Sequence, residues 1–519
     1  MTSLSRRNLL ALGAVGAVGV VTTGCTQDEP KKPRPTPIAP STPQVPTTWD
    51  ELADAVTGTL SRPGDEGYDT VRLVQNPRFD TARPLGVLTA ASATDVATAL
   101  AFAKVKAVPL ALRSGGHSYA GWSSGGAAGS DMPPSLVIDT RGMTDVTMHD
   151  DNTVTVQAGV SLVQLYTALG NSGRAIAAGS CPTVGATGLI LGGGVGVLTR
   201  AYGLSCDALT AVEIVTADGT LRTATATKDP ELFWACRGGG GGHLGVVTSL
   251  TLNTQPAPRV TMFSLEWPFS SAADVVNAWQ RWAPQADPRL WSTLKLLAGA
   301  NYPDGPGLFL SGTWIGPKSD LTAQLTPLLS EVGTTPTRNS ATTKNYLDAM
   351  MSYAGCSTIP LAQCQTGVGG RLHRESFSAT SHVPYRELNS VGIDTMLAQV
   401  VSASAVPGLQ EGGISMDALG GKVRDLAPSA TAFPHRTALM TVQYTATFAN
   451  GTDPTAYDAY VRGFRSALVP EWGDGAYVNY ADASLPDPAK SYFGNNAARL
   501  AAVRTKYDPT GVFTQPQAY

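Results

Sequence analysis

The sequence predicts a mixed α+β protein with more than one domain, and three observations lead to this prediction. Short apolar or alternating runs, bounded by Gly, Asp or Asn, indicate strands at 87–88, 105–112, 136–139, 153–158 and 212–217. Between them, 93–104 and 162–169 have apolar residues at helical spacing, with Ser92 and Ser161 as N-caps. From about 258 to 440 the pattern changes to an antiparallel sheet backed by helices.

The region from about 258 to 440 and the C-terminal part contain longer elements. The predicted strands are 260–267, 308–314 and 439–447, and the predicted helices are 272–282 and 319–332. Further helices are expected near 457–468 and 496–507.

The chain has 519 residues, which is longer than single cores of ~250–300 residues allow. The net charge of −3 argues against a nucleic-acid partner, which would need a concentrated basic surface.

The N-terminus predicts export. Arg6-Arg7 precedes the apolar run 11–21, which is too short for a membrane span of ~20 residues, so residues 1–25 are expected to be a signal peptide. The arginine pair resembles a twin-arginine signal. Thr22-Thr23-Gly24-Cys25 resembles a lipobox, although an ordinary signal peptide with an incidental Cys25 is the alternative. Residues 26–48 form a proline-rich linker, so we expect a cell-surface lipoprotein or secreted protein with Cys25 as its only membrane anchor.

The cysteines give limited information. Cys356 and Cys364 are close enough in sequence to pair, whereas Cys206 and Cys236 form a second bond or remain buried thiols. The Cys and His residues do not have zinc-binding spacing, so no metal site is expected.

Four glycine-bearing stretches indicate a cofactor site. The first is Arg113 to Tyr119, where consecutive glycines allow the backbone to approach a ligand beside an exposed histidine. The others are 179–188, 192–196 and 237–245, and the last contains five consecutive glycines. Such backbone is suited to surrounding phosphates with N–H groups. A Walker loop and the acidic residue of a Rossmann unit are both missing, which disfavours a nicotinamide dehydrogenase.

Four motifs carry a resemblance to a known family. They are Arg113-Ser114-Gly115-Gly116-His117-Ser118-Tyr119, Cys181-Pro182-Thr183-Val184-Gly185, Phe233-Trp234-Ala235-Cys236-Arg237 and Tyr507-Asp508-Pro509. They resemble berberine-bridge-enzyme-like flavoprotein oxidases of the vanillyl-alcohol-oxidase and para-cresol-methylhydroxylase (PCMH) superfamily. The resemblance implies a PCMH-type FAD-binding domain of two α+β subdomains and a substrate domain with an antiparallel sheet. We expect these at 49–257 and 258–440, with 441–519 completing the active site and the FAD domain.

The resemblance also implies that FAD is attached twice, by His117 to the flavin 8α-methyl group and by Cys181 to C6. The other expected FAD contacts are Arg113, Ser114, Gly115, Gly116, Ser118, Thr183, Val184, Gly185, Gly188, Gly192, Gly193, Gly194, Gly196, Gly245, Val247, Tyr477 and Asn479. The sequence departs from the family pattern in Thr187-Gly188-Leu189, where relatives have Gly-Gly-His, and in His243, where they have asparagine.

The family's base corresponds to Tyr480 in the segment 477–482, and we expect it on a strand facing the flavin, with Tyr119 and Gln443 nearby. The alternative for Tyr480 is an aromatic core residue. Val184, three residues after Cys181, is the small residue that the family associates with access of oxygen. The expected reaction is oxidation of an alcohol or carbohydrate by molecular oxygen with release of hydrogen peroxide. The alternatives are a dehydrogenase that uses a quinone or another acceptor, and a lipoprotein that binds a ligand without turnover.

Overall fold

Three large β-sheets organise the chain. The structure is a computed structural model that describes residues 45–519, so the predicted signal peptide, the lipobox and most of the linker lie outside the described residues. The strands are β1 Thr59–Ser61, β2 Gly86–Thr89, β3 Leu110–Arg113, β4 Leu136–Asp139, β5 Val146–Met148, β6 Thr153–Gln157, β7 Arg174–Ala175, β8 Leu209–Val215, β9 Leu221–Thr225, β10 Val246–Asn253, β11 Gln255–Pro256, β12 Val260–Trp267, β13 Leu290–Ala298, β14 Gly307–Trp314, β15 Arg338–Lys344, β16 Ser376–His382, β17 Leu409–Ala418 and β18 Met440–Phe448.

The helices alternate with these strands in the first half of the chain and cover one sheet in the second half. They are α1 Trp49–Ala55, α2 Tyr68–Val71, α3 Ala93–Lys106, α4 Leu162–Asn171, α5 Ala186–Leu191, α6 Thr199–Tyr202, α7 Pro230–Ala235, α8 Ala272–Trp282, α9 Lys318–Val332, α10 Tyr346–Tyr353, α11 Ser390–Ser402, α12 Thr455–Trp472, α13 Pro488–Phe493 and α14 Ala497–Tyr507. No helix in residues 45–519 combines the length and apolar character that a membrane span requires.

The first sheet has the order β1-β2-β4-β3, in which β2, β4 and β3 are parallel. Helix α3 connects β2 to β3, and Ser92 caps it by accepting from the Asp95 N–H. The strand predicted at 105–112 is wrong at its start, because α3 continues to Lys106. Ala107 then takes a left-handed conformation that ends the helix, and the strand begins only at Leu110.

The second sheet is antiparallel, with the order β5-β6-β10-β8-β9. Helix α4 begins with a capping box between Ser161 and Gln164, as the sequence predicts for Ser161. Helix and sheet share one apolar core that includes Val154, Leu165 and Leu250.

The third sheet is antiparallel and seven-stranded, with the order β15-β12-β14-β13-β17-β18-β16. The apolar side chains of one face pack with helices α8, α9, α11 and α12 into a second core, represented by Leu294, Ile414 and Val442. Since successive strand residues point to opposite faces, the other face of the sheet is left for polar residues. The predicted boundary at 440 falls on the first residue of β18, which belongs to this sheet, and the domain limits stay a prediction.

Two smaller expectations have clear outcomes. Cys356 and Cys364 form a disulfide, whereas Cys206 and Cys236 are buried free thiols, which decides between the two alternatives for that pair. Tyr480 is not on a strand: it lies on the 3-10 turn Val478–Tyr480. Hydrogen bonds between Ser381 Oγ and the segment's backbone hold this turn against the end of β16.

Candidate active site

A cavity of about 530 Å³ lies between the glycine-bearing loops and the polar face of the third sheet. Its wall includes the loop after β3, the loop before α5, the glycine run at 240–242, alternate residues of β13 and β17, and Gln443 of β18. The first sheet, through the loop after β3, and the third sheet therefore both contribute to one site.

The loop after β3 is held in place by Arg113. Its guanidinium is fully buried, forms an ion pair with Asp139 at 3.3 Å and donates to the Val71 and Ser123 carbonyls. Ser114 Oγ donates to the Ala158 carbonyl at 2.7 Å, which ties the first sheet to the second. These bonds fix the backbone that leads to His117.

The His117 loop crosses the loop that carries Cys181. A Cβ atom placed on Gly115 would lie 2.1 Å from the backbone nitrogen of Gly185, so only glycine fits at the crossing. Across it, His117 Nε2 and Thr183 Oγ1 are 2.9 Å apart, while Nδ1 of His117 has no hydrogen-bond partner among the described residues. Burial lowers the pKa of His117 to about 4, so the ring is neutral at neutral pH.

Cys181 is a free thiol whose surface is open to the cavity. Desolvation by the surrounding protein raises the pKa of this thiol, and the positive charge of Lys295 opposes that rise. The structure thus brings His117 and Cys181, the two predicted attachment points, to the same cavity.

The residues around the cavity fit FAD. Six buried polar groups on its wall lack a hydrogen-bond partner in the described part of the chain, and buried groups of this kind are normally satisfied. They are Trp122 Nε1, Ser123 Oγ, Thr187 Oγ1, His243 Nδ1, Trp291 Nε1 and Thr293 Oγ1. Gly240 and Gly242 line the cavity and have positive φ, and because they carry no side chain this loop exposes its backbone to the cavity. Thr187 and His243, where the sequence departs from the family pattern, still offer polar atoms to a cofactor.

Most of the predicted cofactor contacts lie on the cavity wall, and five do not. Arg113, Ser114, Gly115, Gly116, His117, Ser118, Cys181, Val184, Gly185, Gly188, Gly196, Gly245, Val247 and Asn479 line it. Thr183, Gly192, Gly193, Gly194 and Tyr477 are not part of the wall. Thr183 contacts His117, and the Tyr477 hydroxyl accepts from the Gly194 N–H and from Asn479 Nδ2. Tyr477 and Thr183 therefore support residues of the wall rather than forming it.

The three predicted catalytic residues are together. The rings of Tyr119 and Tyr480 are stacked, with centroids 5.5 Å apart and an interplanar angle of 12°. Gln443 Nε2, on β18, donates to the Tyr119 hydroxyl at 2.6 Å. Burial, followed by the nearby charge of Asp417, raises the pKa of Tyr480 well above its ordinary value. Tyr480 is therefore a protonated phenol at neutral pH.

The third sheet carries a row of polar residues that the sequence did not predict as part of the site. Lys295 on β13, and Ser415 and Asp417 on β17, line the cavity. Burial raises the pKa of the Asp417 carboxyl. The available signal was the alternation of polar with apolar residues, at Thr293 and Lys295 on β13 and at Ser415 and Asp417 on β17, since alternate residues of a strand point to one face.

Comparison with known proteins adds to this geometry. A family model described as "FAD binding domain" matches residues 84–225, and one described as "Berberine and berberine like" matches 476–518. The FAD-linked oxidoreductase YgaK of Bacillus subtilis (strain 168) is 31% identical over 89% of this chain and 97% of its own length. The chain belongs to the berberine-bridge-enzyme-like family of FAD-linked oxidoreductases.

Solved structures of family members agree with this assignment. BBE-like 1 of Physcomitrella patens has 28% identity and a TM-score of 0.82, covering 91% of this chain and 100% of its own. A glucooligosaccharide oxidase of Acremonium strictum, whose structure is described as revealing a novel flavinylation, has 27% identity and a TM-score of 0.78, covering 90% and 98%. The predicted fold class, an FAD-binding domain combined with an antiparallel sheet and helices, is confirmed for this berberine-bridge-enzyme-like oxidoreductase.

Proposed function

We propose that this chain is an FAD-dependent oxidase whose flavin is attached through both His117 and Cys181, and that it oxidises a CH–OH group of a carbohydrate or another alcohol. The observation that carries the proposal is the meeting of the His117 and Cys181 loops at one cavity, joined by the contact between His117 Nε2 and Thr183 Oγ1. The resemblance of the chain to a glucooligosaccharide oxidase supports the substrate class.

The state of His117 suits covalent attachment. Because its pKa is lowered to about 4, the imidazole is neutral and has a free lone pair at neutral pH. Because His117 Nε2 is in hydrogen-bond contact with Thr183 Oγ1, Nδ1 is the ring nitrogen that remains to bond the flavin. Cys181 offers the second attachment from the neighbouring loop.

Bound FAD supplies the acceptor for the hydride of the CH–OH carbon. The chain must then remove the hydroxyl proton. Tyr480 is a protonated phenol, so we propose that Tyr480 Oη takes this proton while its own proton passes towards Asp417, which lines the same cavity. Asp417 suits the role because its raised pKa makes the carboxylate a stronger base than an exposed one. Gln443 orients Tyr119, which stacks on Tyr480 and limits its movement.

Molecular oxygen is the proposed electron acceptor, with hydrogen peroxide as product. Val184 lines the cavity, and the family associates a small residue at this position with access of oxygen. A dehydrogenase that uses a quinone is the second candidate, because the proline-rich linker and the lipobox-like Cys25 would keep the enzyme at a membrane. We also propose export by the N-terminal signal.

The experiment is a peroxide assay on purified protein with a panel of reducing sugars and aromatic alcohols. We expect yellow protein that releases one peroxide per substrate oxidised. Flavin that is reduced by substrate but passes electrons only to a quinone would favour the dehydrogenase, and protein without flavin would contradict both.

The proton relay has its own test in the pH dependence of flavin reduction, measured without oxygen. The rate should rise with pH through the raised pKa of Asp417, because only the ionised carboxylate accepts a proton. Asp417→Asn should slow the reduction and remove this rise. A rise that persists in the variant would contradict the role of Asp417.

A further inference from the structure

A disulfide-closed loop lies between α10 and β16, outside the cavity. Cys356 and Cys364 are both buried and are bonded to each other at its base. After the disulfide the loop turns back on itself, because the Arg371 N–H donates to the Gln363 carbonyl at 2.9 Å. Arg374 follows two residues before the start of β16. The disulfide and this backbone bond therefore fix the place from which Arg374 extends.

The side chain of Arg374 reaches a distant part of the chain. Its Nε and Nη2 both donate to the Val74 carbonyl, the former at 2.9 Å, and its Nη1 donates to Asp80 Oδ2 at 3.0 Å. On the same loop, Thr366 Oγ1 donates to Gln75 Oε1 at 3.0 Å. The Arg374 side chain is 21% exposed, and ion pairs near the surface contribute little to stability. These contacts therefore fix a position more than they stabilise the fold.

Residues 74 and 75 lie against the loop that carries His117. The Gln75 N–H donates to the Gly116 carbonyl at 3.0 Å. A Cβ placed on Gly116 would lie 3.6 Å from Val74 Cα, which is ordinary van der Waals distance. Gly116 directly precedes His117, so the direction of the imidazole depends on where the Gly116 carbonyl is held. A continuous series of contacts thus leads from Arg374 through residues 74 and 75 to His117.

The loop of Cys181 is held from another side. Its carbonyls at Pro182 and Val184 accept from N–H groups in the first turn of α4, at 3.0 and 2.9 Å. Helix α4 shares its apolar core with the second sheet. Loss of the Arg374 contacts should therefore displace His117 more than Cys181.

We propose that Arg374 is a positioning residue for the attachment of His117 to the flavin, acting through Val74 and Gln75 on the backbone of the His117 loop. This inference rests on the proposed function, in which His117 and Cys181 both bond the flavin. It assigns part of that attachment to a residue that does not line the cavity.

Attachment at His117 is an oxidation and is sensitive to position. Nδ1 forms a bond to the carbon of the flavin 8α-methyl group, while one proton leaves that carbon and one leaves Nε2. Two electrons pass to the flavin and then to molecular oxygen, which takes up both protons and becomes hydrogen peroxide. Because Nδ1 must be close to the methyl carbon, a displacement of ~1 Å can cost about a hundredfold in rate.

A purely structural role for Arg374 predicts a different pattern from a positioning role. If its loss loosened the whole fold, attachment at His117 and at Cys181 would decrease in parallel, together with the unfolding temperature. If Arg374 positions the His117 loop, attachment at His117 decreases selectively, while attachment at Cys181 and the unfolding temperature change little.

The test maps flavin attachment in holoenzyme of the wild type, Arg374→Gln, Arg374→Lys, Thr366→Val and Arg338→Gln. Arg338 is the matched control, because it is an arginine of the edge strand β15 that also pairs with a carboxylate, that of Glu266 at 3.2 Å. Each protein is sampled directly after purification and during incubation in air. Acid precipitation, proteolysis and mass spectrometry then give the fraction of flavin bonded to both residues and the fraction bonded to Cys181 alone.

In Arg374→Gln we expect attachment at His117 to slow about tenfold or more, so that flavin bonded only to Cys181 accumulates. Arg374→Lys should be intermediate, because one ammonium group cannot reproduce the planar fork of a guanidinium. Thr366→Val removes only the neighbouring side-chain contact and should show a smaller effect in the same direction. Arg338→Gln should match the wild type.

Unchanged attachment at His117 in both Arg374→Gln and Thr366→Val, or equal losses at His117 and Cys181, would overturn the assignment. If Arg374→Gln yields no folded protein, Thr366→Val decides alone. Failure of the proposed function is a separate result, in which the wild type itself holds no flavin or releases all of it on denaturation.

Discussion

The crossing of the His117 and Cys181 loops gives a test of the site's geometry through Gly115→Ala. The added Cβ would lie 2.1 Å from Gly185 N, 2.8 Å from Gly185 Cα and 2.9 Å from the Thr183 carbonyl oxygen. All three contacts are to backbone, so no side chain can rotate away. To reach 3.0 Å, the shortest separation that real Cβ atoms show, the loops must move apart by about 0.9 Å.

Overpacking of this size typically costs ~1–3 kcal/mol, and a shift of ~1 Å at a reacting group can cost about a hundredfold in rate. We therefore expect Gly115→Ala to unfold at a lower temperature and to attach flavin more slowly. Thermal unfolding and the fraction of flavin retained after acid precipitation measure the two effects.

The matched control is Gly463→Ala. Gly463 lies within α12, has an ordinary helical φ and has nothing within 4 Å of an added Cβ. Alanine there should be neutral or stabilising by up to ~1 kcal/mol, because glycine is a poor helix former. Unchanged unfolding temperature and complete double attachment in Gly115→Ala would refute the reasoning about the crossing.

Three further predictions concern the base, oxygen and the buried ion pair. Tyr480→Phe should slow anaerobic flavin reduction by substrate about a hundredfold or more, because general-base catalysis is lost, and an undiminished rate would remove Tyr480 from the mechanism. Val184→Leu should slow reoxidation by oxygen while flavin reduction is largely retained, as stopped-flow absorbance can show; equal reoxidation rates would mean that oxygen enters elsewhere. Asp139→Asn should destabilise the protein by ~3–5 kcal/mol, because it leaves the guanidinium of Arg113 buried without its ion pair. Thermal denaturation should show this loss against Asp150→Asn, an exposed control, and equal stability of the two variants would contradict it.

Much of the fold could be predicted because local signals coincide with tertiary structure. The strand 260–267 and the helix 272–282 have the bounds that their periodicity predicts, and Ser92 and Ser161 cap the predicted helices. The start of β3 was wrong because a left-handed Ala107 has no recognisable sequence signal. The 3-10 turn of Tyr480 was missed for a similar reason: the long-range bonds from Ser381 that hold it are not encoded locally.

The candidate site was predictable where it follows contiguous motifs. His117, Cys181 and Tyr480 lie in such motifs, and the structure brings them to one cavity. Lys295 and Asp417 were missed because their significance depends on the pairing of β13 with β17, which joins residues far apart in sequence. Thr183 and Tyr477 were predicted as FAD contacts, yet they do not line the cavity and instead bind neighbouring residues of the loops. Only the packing of the folded chain distinguishes these two roles.

If one flavin joins His117 and Cys181, peptide mapping of the denatured holoenzyme will show the link. Proteolysis followed by mass spectrometry should yield a single species in which one FAD connects the His117 peptide to the Cys181 peptide. His117→Ala and Cys181→Ala should each retain flavin on the remaining residue, and the double variant should release it on denaturation. Unmodified His117 and Cys181 peptides from yellow wild-type protein would show that the flavin is not attached at these residues.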